Sequence, residues 1–148
     1  MGLEIVVIDG EAKTWEEAIH LTAGALLEKG YVKDTFEENC IKREKVFPTG
    51  LNTELPIAIP HTESEYVRES AICFLRLKHP VTFVNMESDS ETVEANYVLN
   101  LAIKEKEKQV PMLAKVIEVF QDGEFLKSMQ KLEMDEFQKT LKEKLSLD

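Results

Sequence analysis

At 148 residues and 43% hydrophobic content, the chain has the length for one globular domain with one sizeable core, spanning residues 1–148. A formal charge of −10 and a pI near 4.9 exclude nucleic acid and anionic membrane as default partners, because both call for clustered lysine and arginine. No apolar run approaches the roughly 18 residues of a membrane span, and the start Met-Gly-Leu-Glu-Ile has no basic secretory region, so we expect a cytoplasmic protein with no membrane insertion.

In chain order, Leu3 to Ile8 is β-branched and apolar and stops at Asp9-Gly10, which predicts a first strand closed by a turn. A helix follows. Thr14 with Glu17 fits a capping box, Trp15, Ala18, Ile19, Thr22, Ala23 and Leu26 recur on one face, and Gly30 supplies the stop. His20 points away from that stripe, as a solvated flank residue. A second helix starts at Asp34 or Thr35 and runs to about Phe47, where Pro48-Thr49-Gly50 halts it. At 100° per residue, Phe36, Cys40, Arg43 and Phe47 share one stripe and Glu37 and Glu44 flank it. Arg43 therefore takes a core-facing position, where a guanidinium either snorkels past the edge or is held for a buried anion. Cys40 and Cys73 lie far apart with no Cys-x-x-Cys pair, so both read as small buried residues, and neither a disulfide nor a metal site is expected.

Ile57, Ala58 and Ile59 make a brief strand, and Pro60, which lacks a donor, throws His61 out of the sheet. Beyond it, Thr62 or Ser64 caps a helical turn whose backbone amides favour negative charge. Ala71 to Leu77 suits an interior strand, broken by Lys78-His79-Pro80 with His79 in a surface turn, and Val81 to Val84 forms a shorter strand. Asn85 to Glu91 is an acidic solvated loop without the glycine and terminal glutamate of a calcium loop. Val93 to Ile103 is the central strand. Helices follow with stripes Leu113, Ile117, Phe120; then Phe125, Met129, Leu132; then Met134, Phe137, Leu141, Leu145. The element order predicts an α/β fold, a mixed β-sheet flanked by helices in a single-domain sandwich.

There is no Gly-rich phosphate loop, no Gly-x-Ser-x-Gly elbow, no His-Glu-x-x-His and no dinucleotide fingerprint, which removes most ordinary enzyme classes. What remains is an exposed histidine, an inward arginine and nearby hydroxyls. That set can accept a phosphoryl group: an unperturbed imidazole is roughly three-quarters neutral at pH 7 and can attack phosphorus without a separate base. Arg43 can neutralise the charge spreading over the phosphoryl oxygens, and Thr49 or Thr62 can donate hydrogen bonds to them. The residues alone leave a second reading open, a folded interaction domain in which His61 is structural.

The run Ile57-Ala58-Ile59-Pro60-His61, preceded by Arg43-Glu44-Lys45-Val46-Phe47-Pro48-Thr49-Gly50-Leu51, resembles the signature of IIA domains of the bacterial sugar phosphotransferase system, in the fructose and mannitol superfamily. His61-Thr62 and Leu77-Lys78-His79-Pro80-Val81-Thr82-Phe83 are most similar to galactitol-specific IIA proteins. The resemblance covers nearly the whole chain. It implies that His61 takes phosphate from the phosphohistidine of the carrier HPr and passes it to a cysteine of a IIB component. IIB then phosphorylates sugar entering through a membrane IIC component. The resemblance also implies that Arg43 contacts the phosphoryl group, that no cofactor is used, and that the sheet is mixed. One departure stands out: family members often carry a second histidine just before the helix that begins here near Val110, and this chain has Gln109 there. An amide can hydrogen-bond a phosphoryl oxygen but carries no positive charge. Glu54 lies near a family acidic position and is left outside the expected site. A regulatory IIA-like protein, phosphorylated on the same histidine but acting by binding a target, is the alternative within the resemblance.

Overall fold

Alternation along the strands decides the architecture of the computed structural model, which describes residues 3–145. In β1 (Glu4–Gly10) and β4 (Ala71–Asn85), Ile5, Ile72 and Phe74 face one side, and Val6, Ala71 and Cys73 the other. Both faces are therefore apolar and both are covered. On one face α1 (Trp15–Glu28) and α2 (Phe36–Val46) bury Ile19, Ala23, Leu26, Phe36 and Cys40. On the other, α3 (Gln109–Phe120), α4 (Gly123–Met129) and α5 (Met134–Lys144) bury Met112, Val116, Phe120, Leu126, Met129, Phe137 and Leu141. The fold is the expected α/β sandwich with a mixed sheet.

β4 pairs in parallel with β1 and forms a long antiparallel hairpin with β5 (Ser88–Ala102). β3 (Ile57–Ala58) lies parallel to β5, with Ile57 opposite Tyr97 and Ala58 opposite Val98. The two-residue β2 (Gly50–Leu51) pairs antiparallel with β3 and meets Asn85 at the end of β4, so the strand order is β1-β4-β2-β3-β5 with β4 and β5 also joined. The fit around β2 is tight. A Cβ on Gly50 would lie 2.6 Å from the Val84 carbonyl oxygen, so no larger residue fits without moving backbone.

Helix α1 starts at the expected cap, where Thr14 Oγ1 accepts from the Glu17 amide at 3.2 Å, but the Glu17 carboxylate accepts from the Lys13 amide at 2.8 Å, one residue before the partner a capping box uses. Gly30, at φ +82°, follows its end. His20 is exposed and meets Glu37 at 2.9 Å.

Several expectations need correction. β1 continues through Gly10 because its backbone still pairs with Leu77. β4 is not broken at Lys78-His79-Pro80; the missing proline donor falls within a register shift between Arg76 and Val81, where the strand is exposed. The acidic stretch is a tight turn at Met86-Glu87 followed by the first half of β5, whose outward glutamates are solvated while Val93 and Ala95 face in. On α2, Glu44 is buried and Phe47 exposed, because the helix ends at Val46 and Phe47 has left helical geometry (φ −125°, ψ 83°). The stripe of α3 is turned by one position, with Met112, Val116, Val119 and Phe120 buried and Leu113 and Ile117 only partly so. On α4, Leu126 rather than Phe125 is buried beside Met129.

Candidate functional site

The site is made where the chain leaves β3. Ile59 is fully buried, and its amide donates to the Thr49 carbonyl at 3.3 Å. Pro60 ends donation to the ladder, but its carbonyl still accepts from the Leu101 amide at 3.0 Å. His61 is thus not thrown clear of the sheet: it forms an isolated parallel bridge with Leu101 and is partly buried at the sheet's edge. Its ring turns back, and Nδ1 lies 2.8 Å from the Ile59 carbonyl oxygen. A carbonyl can only accept, so Nδ1 carries the hydrogen and Nε2 keeps its lone pair. Burial holds the imidazole pKa below its ordinary value; the Ile59 bond opposes that, the Arg43 charge adds to it, and Glu63 works the other way. The lowered pKa favours the neutral ring at pH 7.

Arg43 occupies the last turn of α2, where a cation suits the helix dipole. Its side chain is 32% exposed. Nη1 donates to Glu63 Oε2 at 3.1 Å, and the guanidinium carbon lies 5.1 Å from the centre of the Phe47 ring. Nε is buried and has no partner; among the described residues it is the one buried side-chain nitrogen or oxygen in that condition. An orphan buried donor of this kind has a free-energy cost.

Arg43, His61 and Gln109 line a common cleft of about 120 Å³, walled by Leu101, Ile103, Val110 and Leu113. Gln109 opens α3 and donates an amide hydrogen to the Thr62 carbonyl at 3.0 Å, which ties the helix to the histidine loop. The two threonines do not line this cleft. Thr62 is buried and its hydroxyl donates to Glu63 Oε1 at 3.1 Å; Thr49 is buried and its hydroxyl donates to Glu44 at 2.9 Å. No anion cradle follows the histidine either. The helical turn Ser64–Tyr66 is a single 3-10 turn, preceded by Glu63, with no side-chain cap from Thr62 or Ser64. Glu54, left outside the site, faces Lys127 at 3.6 Å.

Sequence reasoning missed two carboxylates. Glu63 bridges Thr62 and Arg43 with its two oxygens, and the signal was its position two residues after the histidine in a loop. Glu44 is buried under the Pro48-Thr49-Gly50 turn; Thr49 donates to it from both amide and hydroxyl. Its signal was a glutamate five residues before a threonine across a helix stop.

A neutral imidazole and an under-partnered guanidinium thus line one cleft of an α/β sandwich. The family model described as "Phosphoenolpyruvate-dependent sugar phosphotransferase system, EIIA 2" matches residues 2–144, and the chain belongs to that family. It is similar to the PTS system galactitol-specific EIIA component of Escherichia coli (strain K12), 37% identical over 89 residues, which is 60% of this chain and 59% of that protein. The matched stretch thus spans about three fifths of that relative. It is also similar to the transcriptional regulator ManR of Bacillus subtilis (strain 168), 31% identical over 104 residues, 70% of this chain and 15% of that protein. Its fold is that of the solved complex of enzyme IIAMTL and phosphorylated enzyme IIBMTL from Escherichia coli, at a TM-score of 0.74 and 24% identity, over 96% of this chain and 93% of that one. No helix among the described residues is long and apolar enough to cross a membrane.

Proposed function

We propose that the chain is a phosphoryl relay of a sugar phosphotransferase system, with His61 as the carrier and a galactitol-type sugar as the eventual acceptor. The observation that carries the reading is the His61 ring, with Nδ1 tied to the Ile59 carbonyl and Nε2 left with its lone pair, in a cleft that Arg43 also lines. In the first step the Nε2 lone pair forms a bond to the phosphorus of phosphohistidine on HPr, while the donor N–P bond breaks and its electrons return to the donor ring. The His61 ring becomes positively charged, with its Nδ1–H still donated to Ile59. In the second step a thiolate of a IIB component attacks the phosphorus and the Nε2–P bond breaks toward the ring. Arg43 meets the charge on the phosphoryl oxygens through Nε and through whatever Nη donors Glu63 gives up. Gln109 supplies a neutral hydrogen bond at the same cleft, while Thr49 and Thr62 support the site through the two glutamates.

Docking uses the exposed apolar rim of Val46, Phe47 and Val110, each more than half exposed. HPr and IIB must each bring a reacting atom to within about 3 Å of one nitrogen, so they bind in turn and never together. Incubation with the general enzyme of the system, HPr and labelled phosphoenolpyruvate tests the relay: acid-labile label is expected on the wild type and absent from His61→Gln. Label that survives in that variant, or none on the wild type, rejects it.

The likeness to a transcriptional regulator favours one further reading, in which the same phosphorylation controls binding to a target. Discharge of the label by the IIB component supports transport. A phosphorylated chain that IIB cannot discharge supports regulation.

A further inference from the structure

We infer that Glu44 is a positioning residue for His61, acting through a continuous line of hydrogen bonds that fixes which ring nitrogen is free. This rests on the relay reading for its purpose, but the line itself is geometric. The Thr49 amide donates to Glu44 Oε2 at 2.8 Å and the Thr49 hydroxyl donates to Oε1 at 2.9 Å. The Thr49 carbonyl accepts from the Ile59 amide at 3.3 Å, and the Ile59 carbonyl accepts from His61 Nδ1 at 2.8 Å. Four residues link the last turn of α2 to the imidazole, the line passing through the backbone N–H and C=O of Thr49 beside β2 and of Ile59 beside β3.

Every intermediate group is dry. Glu44 is 6% exposed, Thr49 3% and Ile59 0%, so water cannot replace a lost member. Gly50, which follows Thr49 in the chain, has no room for a Cβ beside the Val84 carbonyl, and β2 has only two residues of ladder to hold its place. The carboxylate therefore sets the height of β2 against β3, and with it the direction of the Ile59 carbonyl. If that carbonyl turns, Nδ1 loses its acceptor and the ring can protonate on Nε2, which removes the nucleophile. Burial pushes the Glu44 carboxyl up to about 7, against the pull of the two Thr49 donors and the Arg43 charge. A carboxylate is costly in such a place, and its neighbours Arg43 and Thr49 are both part of the site's framework.

The test is nitrogen NMR of the imidazole in the intact chain, with phosphoryl uptake from phospho-HPr measured beside it. The wild type shows one tautomer, hydrogen on Nδ1. Glu44→Ala gives a mixture of tautomers and uptake lowered about tenfold, the scale of a small misplacement of reacting groups. Glu44→Gln keeps the shape and an acceptor, and restores the single tautomer. Leu141→Ala, a cavity in α5 that lowers the melting temperature, leaves the tautomer unchanged. If Glu44→Ala does not fold, Thr49→Val removes only the hydroxyl bond and shows a measurable Nε2–H population. A single Nδ1–H tautomer in Glu44→Ala, or in Thr49→Val where Glu44→Ala does not fold, or an equal shift in Leu141→Ala, overturns the inference. The tautomer is read without phosphorylation, so failure of the relay itself appears separately, as absence of label on the wild type.

Discussion

Two arginines lie partly inside this molecule, and they are used in opposite ways. Arg76, 14% exposed, is saturated: it donates to both oxygens of Asp9, to the Met129 and Leu132 carbonyls at 2.9 and 2.8 Å, and to Met134 Sδ, and it stacks 4.8 Å from the Phe137 ring centre. Its hydrogen bond and charge hold the Asp9 carboxyl below the usual range, against the burial that opposes them. Arg43 has a single ion-pair partner, an exposed ring beneath it and a buried Nε with nothing to donate to. The cleft beside Arg76, about 570 Å³, is larger than the one of about 120 Å³ beside Arg43. Size misleads here. An arginine that closes a fold has its donors consumed by permanent acceptors, whereas one that serves a transient anion must keep a donor in reserve.

The contrast breaks first at Arg43. Arg43→Lys keeps a charge but loses Nε and the planar fork, so phosphoryl uptake should fall about 100-fold, the loss typical of one preorganised donor. Urea unfolding of the same protein should move by no more than about 0.5 kcal/mol. A variant that transfers at the wild-type rate takes Arg43 out of the mechanism. Arg76→Met should do the reverse. It strands the Met129 and Leu132 carbonyls where α4 gives way to α5 and should lower stability by about 2 kcal/mol. Asp9 is 53% exposed, so its lost ion pair adds little. Transfer by the folded fraction should be unchanged, and a transfer defect at Arg76 would erase the distinction between the two sites.

The difference between the arginines was half legible in the sequence. The stripe Phe36-Cys40-Arg43 placed a guanidinium inward, and the motif around Ile59-Pro60-His61 set a histidine near it; the cleft brings both together with Gln109. Periodicity could not reveal that Glu44 is buried, because its burial comes from a chain turn folding back over the helix end, not from the helix's own face. Nor could alternation show β4 running through Pro80, since a register shift that absorbs the missing donor depends on the facing strand. Thr49 and Thr62 were expected to donate to the phosphoryl oxygens, but they do not line the cleft and neighbouring glutamates take their hydroxyls. Local patterns located elements; partners chosen across the fold determined which polar groups were left free.

Smaller effects sharpen the same contrast. Glu63 is 57% exposed and holds Arg43 in the way a phosphoryl oxygen would. Glu63→Gln should free the guanidinium and raise phosphoryl uptake by two- to fivefold, about the worth of an exposed pair. A slower variant would mean that Glu63 orients Arg43 rather than competing for it.

The finest test reads the charge of Arg43 at the imidazole itself. Burial is the main cause that lowers the His61 pKa, the Ile59 bond opposes it, and Arg43 contributes downward. Arg43→Met should therefore raise the His61 pKa without returning it to the ordinary value, because the burial remains, while Arg76→Met should leave it in place. Proton titration of the ring by NMR separates the two. The sign carries into stability. The unfolded chain binds a proton near pH 6.5 and the folded ring only below that, so His61 favours the folded state above about 6.5 and loses this contribution as the pH falls toward its folded pKa. Arg43→Met should narrow that window from below, and His61→Gln should remove it. If instead the two methionine variants shift the ring equally, Arg43 holds no special electrostatic place beside it, and its unpartnered nitrogen is a packing fault rather than a reserved donor.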